Sequence, residues 1–430
     1  MPNVTFTSLI FVMFLLSSCK SSDKSDEICD AIDETIICNG GYSYWVNDIT
    51  AVSNGVVAIS GVNEQKRSSQ QWVSFFTQDL SEKLAEIPFA RDFYVDEHNA
   101  PAILGNDDGT WLVVRTGHND IFEQGRGKLF VHSISENFEL TNEVQLSTEN
   151  GATYAQLVKV NGSIHLLTRD SHNGWGLFIS ADKGESWSQW QALWHEAGHR
   201  YISMDNFGLD EVGNEQLIFN IGHHPTDKKQ KIGYLVAKEN NQSMTIALST
   251  SSDILLDNST VASEVNVSIQ QNEGVSSNIR FLDAVSQNAQ VCHLYSKLDT
   301  DNDLWELNIT THNINLNKTF KYNIGTFAGV LGDSSYVNGA SIGNCLLNDG
   351  EQIDVFIASH EIDKNEYVIE RVFIDVQSGV ILTREEVIRS KKQLYRPEYI
   401  QELNYLMFNE AEFWKDYGDW KATQKVIKLP

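Results

Sequence analysis

From about residue 40 to the C-terminus, apolar positions come in short runs, many alternating with polar ones, and clusters of Gly, Asn, Asp and Ser separate the runs. Gly55-Val-Val-Ala-Ile-Ser60, Trp72-Val-Ser-Phe-Phe76, Lys128-Leu-Phe-Val-His132, Gln216-Leu-Ile-Phe-Asn220, Gln290-Val-Cys-His-Leu-Tyr295, Ile353-Asp-Val-Phe-Ile-Ala358 and Tyr367-Val-Ile-Glu-Arg-Val-Phe373 are examples. A period of two, β-branched and aromatic content and bounding turn residues predict strands, and long helical periodicity is nearly absent. The pattern predicts an all-β protein.

Two of the predicted hairpins place reactive side chains opposite one another. Tyr154-Ala-Gln-Leu-Val-Lys-Val160 and Ser163-Ile-His-Leu-Leu-Thr-Arg169 flank Asn161-Gly162, and Asn-Gly between such runs is the strongest short-range hairpin signal. Counting outward from that turn puts Tyr154 opposite Arg169, with Cβ atoms about 5 Å apart. A longer turn, Asn106-Asp107-Asp108-Gly109, lies between Pro101-Ala-Ile-Leu104 and Trp111-Leu-Val-Val114, with His98 and His118 about equally far from its centre. Two imidazoles, a phenol and a guanidinium on neighbouring sheets point to acid/base chemistry on an anionic substrate. A His with an ordinary pKa near 6.5 is a base at neutral pH, and a guanidinium offers a planar two-donor fork for a carboxylate. A facing Arg is also expected to stabilise a Tyr phenolate and ease its deprotonation.

One local motif bears on how the strands are assembled. Ser180-Ala-Asp182-Lys-Gly184-Glu-Ser-Trp187 resembles the Asp-box of sialidase-like propellers, in which Asp and Gly shape the turn between the outer strands of a blade and Trp packs beneath it. At about 50 residues per blade, residues 40–430 supply seven or eight blades, and a single seven-bladed β-propeller is expected.

The first 18 residues carry an apolar run too short to span a membrane, and Leu16-Ser17-Ser18-Cys19 resembles a bacterial lipobox, although no Lys or Arg precedes the run. The resemblance implies a lipoprotein signal peptide over 1–18, lipidation of Cys19, and export to the cell envelope with a lipid anchor in the outer membrane or at the cell surface. A plain secretory signal is the alternative. Residues 19–39 then form a Ser-, Lys- and Asp-rich tether and an N-terminal edge segment that Cys29 and Cys38 can staple, and 40–430 form the catalytic domain. A net charge of −26 opposes nucleic acid as a partner, and a polyanionic sugar requires a locally basic groove and screening salt. A monomer is expected.

The blocks Asp96-Glu-His98-Asn99-Ala-Pro101, Thr116-Gly-His118-Asn119-Asp120, Ala152-Thr-Tyr154, Leu167-Thr-Arg169-Asp-Ser-His172-Asn-Gly-Trp175, His199-Arg200-Tyr201 and Gly222-His223-His224-Pro225 resemble the propeller-type ulvan lyases (polysaccharide lyase families 24 and 25) over about residues 90–230. The resemblance implies β-elimination across a uronate linkage of a sulfated algal polysaccharide, ulvan, with no cofactor required for the chemistry. It makes His98 and Tyr154 the acid/base pair, with their order open, Arg169 the neutraliser of the uronate carboxylate, and His118 a supporting group. Tyr201, Arg200, His172 and Asn119 are the candidate substrate contacts. A sialidase-type hydrolase is one alternative, but the nearest stretch to its Arg-Ile-Pro segment, Ile87-Pro-Phe-Ala-Arg91, does not match. A noncatalytic glycan-binding lipoprotein is the other.

Cys292 and Cys345 sit in apolar runs and leave open a disulfide, two buried thiols or metal ligands. With His223 and His293 they are the candidate set for a structural zinc, although adjacent Cys292 and His293 point to opposite faces of a regular strand.

Overall fold

The computed structural model describes residues 28–430 except for intervening stretches, the longest of which are 119–127, 224–232, 247–278 and 329–338. The lipobox, Cys19 and the tether lie outside the described residues. The described residues form seven separate antiparallel sheets and no α-helix; one 3-10 turn, Glu97–Asn99, interrupts the strands.

Five sheets are built from four consecutive strands, beginning with Ala102–Gly105, Ala152–Val160, Arg200–Leu209, Ile279–Gln287 and Ala340–Asn344, and each follows chain order. A sixth, beginning with Thr50–Ser53, adds the short strand Phe93–Tyr94 to the same plan. The remaining sheet combines the two ends of the chain. Cys29–Ile32 and Thr35–Asn39 join Gln393–Ile400, Tyr405–Asp416 and Asp419–Lys428, with Thr35 opposite Ile427. The anticipated staple is present there: Cys29 and Cys38 face each other in register and are disulfide-bonded.

Within a sheet, hydrophobicity sets position. Trp111–Arg115 is buried at every residue, whereas Leu140–Ser147, the fourth strand of the same sheet, is mostly exposed. Near-continuous apolar runs fit strands covered on both faces, and alternating runs fit the periphery. The core is therefore divided among the spaces between consecutive sheets. One apolar cluster joins Val57 and Trp72 to Val426 and Met407 of the composite sheet; another joins Ala58 and Phe75 to Ile103 and Trp111. Similar clusters link Val131 with Leu157, Trp175 with Tyr201, Ile309 with Ile342, and Phe356 with Leu394. At the junction with no such cluster among the described residues, the His293 ring contacts Asn220 Oδ1 at 3.1 Å, and a Cβ on Gly222 would meet Phe281 at 2.9 Å.

The first strands are also pinned to one another by polar side chains. Asp48 Oδ2 accepts from Leu157 N, Gln156 Oε1 from Met204 N, and Asp283 Oδ2 from Ile342 N, each at 2.7 Å. Removal from bulk water pushes Asp48 and Asp283 up to about 7, against the pull of these backbone hydrogen bonds, and pushes Glu398 up to about 8. These folded values exceed the unfolded carboxylate value of about 4, so the associated stability is complete below pH about 4 and is lost as pH rises through 7 to 8. The protein is expected to melt several degrees higher at pH 5.5 than at pH 8.5 by calorimetry, and an equal or lower Tm at pH 5.5 contradicts this assignment.

Candidate active site

The first hairpin forms as expected. Ala102 pairs with Val114, Asn106 N donates to Thr110 O at 2.8 Å, and Gly109 closes the turn at φ +85°. His98 and His118 lie just beyond its strands. Asp96 caps the 3-10 turn that carries His98, accepting from His98 N at 2.9 Å. His118 N donates to Asn99 Oδ1 at 2.6 Å, and buried Gln71 donates through Nε2 to both Asn99 O and Thr116 O. These bonds join the two arms, so the imidazoles approach to 4.4 Å between ring centroids.

The second hairpin departs from simple register. Asn161 and Gly162 both take positive φ, as a two-residue type I′ turn requires, and Gln156 faces Leu167 as counted. A bulge then intervenes. Arg169 pairs with Thr153 instead of Tyr154, and Tyr154 itself sits at φ +60°. That left-handed backbone disfavours a side chain with a Cβ, and such strain persists only where surrounding structure enforces it. Here Thr168 Oγ1 donates to Tyr154 O at 2.9 Å, while Arg169 Nε donates to Thr153 Oγ1 at 3.1 Å. The expected cross-strand pair is thus corrected to a diagonal one. The Arg169 guanidinium still lies 4.7 Å from the Tyr154 ring centroid.

Tyr154 is the hub of the cluster. Its ring centroid is 5.9 Å from that of His98, 5.4 Å from His118 and 5.7 Å from Tyr201, and it stacks on Trp175 at 6.2 Å and 8°. The Tyr154 and Tyr201 hydroxyls are 3.5 Å apart, and Arg169 lies 5.7 Å from the Tyr201 ring. The structure therefore brings His98, His118, Tyr154, Arg169 and Tyr201 together within the reach of one sugar residue. Tyr154 is only 1% exposed, whereas Arg169 is partly exposed.

Electrostatics separates the members. Burial pushes His98 down to about 4, and His118 pushes the same way, while Asp96 pulls upward without restoring the ordinary value. His98 is neutral at neutral pH. Asp96 is buried, which favours its acid form, yet the two imidazoles outweigh burial and hold its carboxyl well below the usual range. Tyr154 overturns the expectation of an eased deprotonation: burial raises it well above the ordinary phenol, Tyr201 adds to the rise, and Arg169 only opposes it. Tyr154 is a phenol held ready to donate.

Of the other candidate contacts, Arg200 occupies the strand position opposite His223, and the side chains of both lie outside the described residues. His172 and Asn119 also lie outside them. The zinc set does not fit: Cys292 is disulfide-bonded and has no thiolate to offer, and its partner sulfur lies outside the described residues, as does Cys345. His293 is buried against Asn220, on the opposite side of its strand as alternation requires. Among the described residues, one trio offers ligand atoms within 4.8 Å of one another: Asp96, His98 and His118. Both imidazole Nδ1 atoms there contact the Asp96 carboxylate, at 2.5 and 2.7 Å.

Sequence reasoning missed Asp96, although it stands two residues before His98 as an acidic helix cap, a local signal open to reading. It also missed Gln71 and Thr153, which reach the site from a different sheet and across a bulge; nothing local marks them.

The Asp-box turn adopts its expected role between strands Trp175–Ser180 and Gln191–Trp194. Ser186 N donates to Asp182 Oδ1 at 2.9 Å, Gly184 N to Ser180 Oγ at 2.8 Å, and Trp187 Nε1 to Gly184 O at 3.1 Å. A family model described as a BNR repeat-containing family member matches residues 54–324. The chain belongs to the BNR repeat-containing family. This family member has the fold of a solved ulvan lyase described as a new polysaccharide lyase family, PL25, with 12% identity, 89% of this chain and 93% of that one covered, and a TM-score of 0.59. The same holds for a PL25 ulvan lyase bound to -[GlcA(1-4)Rha3S]-, at 12% identity, the same coverage and a TM-score of 0.60. The polysaccharide lyase Uly1 follows at 10% identity, 91% and 92% coverage and a TM-score of 0.55. At these identities the likeness is one of fold. No protein among the curated sequences matches this BNR repeat-containing chain.

Proposed function

We propose that this protein is a seven-bladed β-propeller lyase that cleaves uronate linkages of a sulfated algal polysaccharide, ulvan, by β-elimination, exported and anchored at the cell envelope through Cys19. Seven sheets, with apolar clusters at six of the junctions between neighbours among the described residues, support the blade count. The reaction rests on one observation above all: a neutral imidazole, a protonated phenol and a guanidinium meet around Tyr154. A lyase bound to -[GlcA(1-4)Rha3S]- shares the fold, which supports a sulfated uronate polysaccharide as the substrate class.

In this reading Arg169 pairs with the uronate carboxylate, drawing charge from C5 and making its proton acidic. His98 takes that proton, the C5–H electron pair becomes the C4=C5 double bond, and the C4–O4 bond breaks. Tyr154 gives its proton to the departing O4, and Arg169 stabilises the phenolate that remains. Transfer of the proton from the His98 imidazolium to that phenolate restores both groups. Tyr201 and His118 line the same cleft as supports.

Purified protein mixed with ulvan should develop the ultraviolet absorbance of an unsaturated uronate without added water-activating metal or nucleotide. Because His98 is a base only when neutral, kcat/KM should stay level from pH 8 down to about 5 and fall near pH 4, the value to which burial lowers this imidazole. Saturated products indicate a hydrolase instead. Binding without any product indicates a glycan-binding protein, and either result overturns the lyase.

A further inference from the structure

The carboxylate of Asp96 is only 1% exposed, and both of its oxygens are occupied by imidazoles. Oδ1 meets His98 Nδ1 at 2.5 Å and His98 N at 2.9 Å; Oδ2 meets His118 Nδ1 at 2.7 Å. We infer that Asp96 is the positioning residue of this centre: one buried carboxylate that fixes His98 and His118 in the same tautomer and admits a single extra proton among the three groups.

The tautomer follows from donor and acceptor chemistry. An ionised carboxylate only accepts hydrogen bonds, so each ring nitrogen facing it must carry the hydrogen. Both rings are then Nδ1–H, and in both the lone pair resides on Nε2. A ring that turned over would present an N–H where the reaction needs a base. The shared proton follows from distance. Two imidazolium rings with centroids 4.4 Å apart repel in a site largely closed to water, so the second protonation is opposed by the first. A single imidazolium against the Asp96 carboxylate leaves the trio with one positive and one negative charge. The product of proton abstraction is therefore neutralised where it forms, whichever of the two rings holds it.

Backbone placement makes this arrangement specific. Asp96 is the cap of the turn that carries His98, so its carboxylate is fixed relative to that ring by the chain itself. His118 arrives from the far arm of the hairpin and is locked by its N–H to Asn99 Oδ1, the last residue of the same turn. One short segment thus sets the orientation of a ring from each arm.

The kinetic part of this inference rests on the lyase reading; the tautomer part does not. Long-range 1H–15N correlation spectra of the imidazoles should show His98 and His118 of the wild-type protein both in the Nδ1–H form. In Asp96→Asn, a side chain of nearly the same shape, the amide accepts at one end and donates at the other, so one of the two rings should convert to Nε2–H. Turnover of ulvan should drop between about 10²- and 10⁴-fold in kcat with far less change in KM. The acid limb of kcat/KM should move to lower pH, because the group that draws His98 upward is gone. A purely structural role would lower Tm without moving that limb. The inference is overturned if either wild-type ring is Nε2–H, or if folded Asp96→Asn keeps both tautomers and the same limb. Should that variant fail to fold, the wild-type spectrum alone decides the tautomers. Absence of unsaturated product from wild type sinks the lyase reading and leaves the spectroscopic result standing.

Discussion

Tyr154→Phe should lose at least about 10³-fold in kcat on ulvan while its affinity for the polymer stays within a few-fold of wild type. The substitution deletes one oxygen and keeps the ring. Stacking on Trp175, the edge contact with Tyr201 and the guanidinium above the ring all involve carbon faces that Phe retains. The lost hydroxyl contributes a 3.5 Å contact to the Tyr201 hydroxyl, a weak tie for the fold. Turnover read by ultraviolet absorbance and affinity read by calorimetry on the same preparation separate the two effects. A variant with more than a tenth of wild-type activity removes Tyr154 from the role of acid, and a protein that only binds glycan would show no difference at all.

Arg169→Lys should be nearly as damaging, losing about 10²-fold in kcat/KM, although the formal charge is unchanged. The guanidinium lies over two phenol rings, and its Nε–H is held by Thr153 Oγ1, which aims the remaining N–H groups as a planar fork. A lysine ammonium is a point charge that cannot hold Thr153 and pair bidentately with a carboxylate together. If the group served only as bulk positive charge, Lys would restore most of the rate. Initial rates over a range of ulvan concentrations measure this, with a rise in KM expected alongside the fall in kcat.

The fold was legible because it is written locally. Alternation, turn residues and one Asp-box are short-range signals, and sheets of sequential hairpins require little more. The site was legible by residue type and only partly by geometry. Counting from Asn161-Gly162 works as far as Gln156 and Leu167 and then fails, because a bulge adds a residue to one strand and nothing in Tyr154-Ala155 announces it. The charge state of Tyr154 was misjudged for a related reason. A facing Arg is visible in sequence, but the depth of burial that outweighs it depends on Trp175, two strands away in the same sheet, and on Tyr201 from the neighbouring sheet. The zinc reading failed on covalent chemistry: the choice among thiol, disulfide and ligand cannot be made from spacing, and Cys292 is disulfide-bonded. Asp96 is legible as an acidic cap two residues before His98, but the contact of its second oxygen with His118 depends on the far arm of the hairpin, which nothing local marks.

Thr35–Asn39 pairs on one side with the adjacent Cys29–Ile32 and on the other with Asp419–Lys428, about 390 residues further along the chain. Contacts of such long sequence separation form late and slowly, so a nascent chain would carry an unmatched edge until Asp419–Lys428 has been made. Six hairpin sheets can assemble as they emerge, but the sheet that joins Cys29–Ile32 and Thr35–Asn39 to Gln393–Ile400, Tyr405–Asp416 and Asp419–Lys428 must wait for both, as a clasp waits for its two halves. A nonsense change that removes the final strand should therefore yield a protein that is made, collapses and aggregates, even though every residue around Tyr154 is intact.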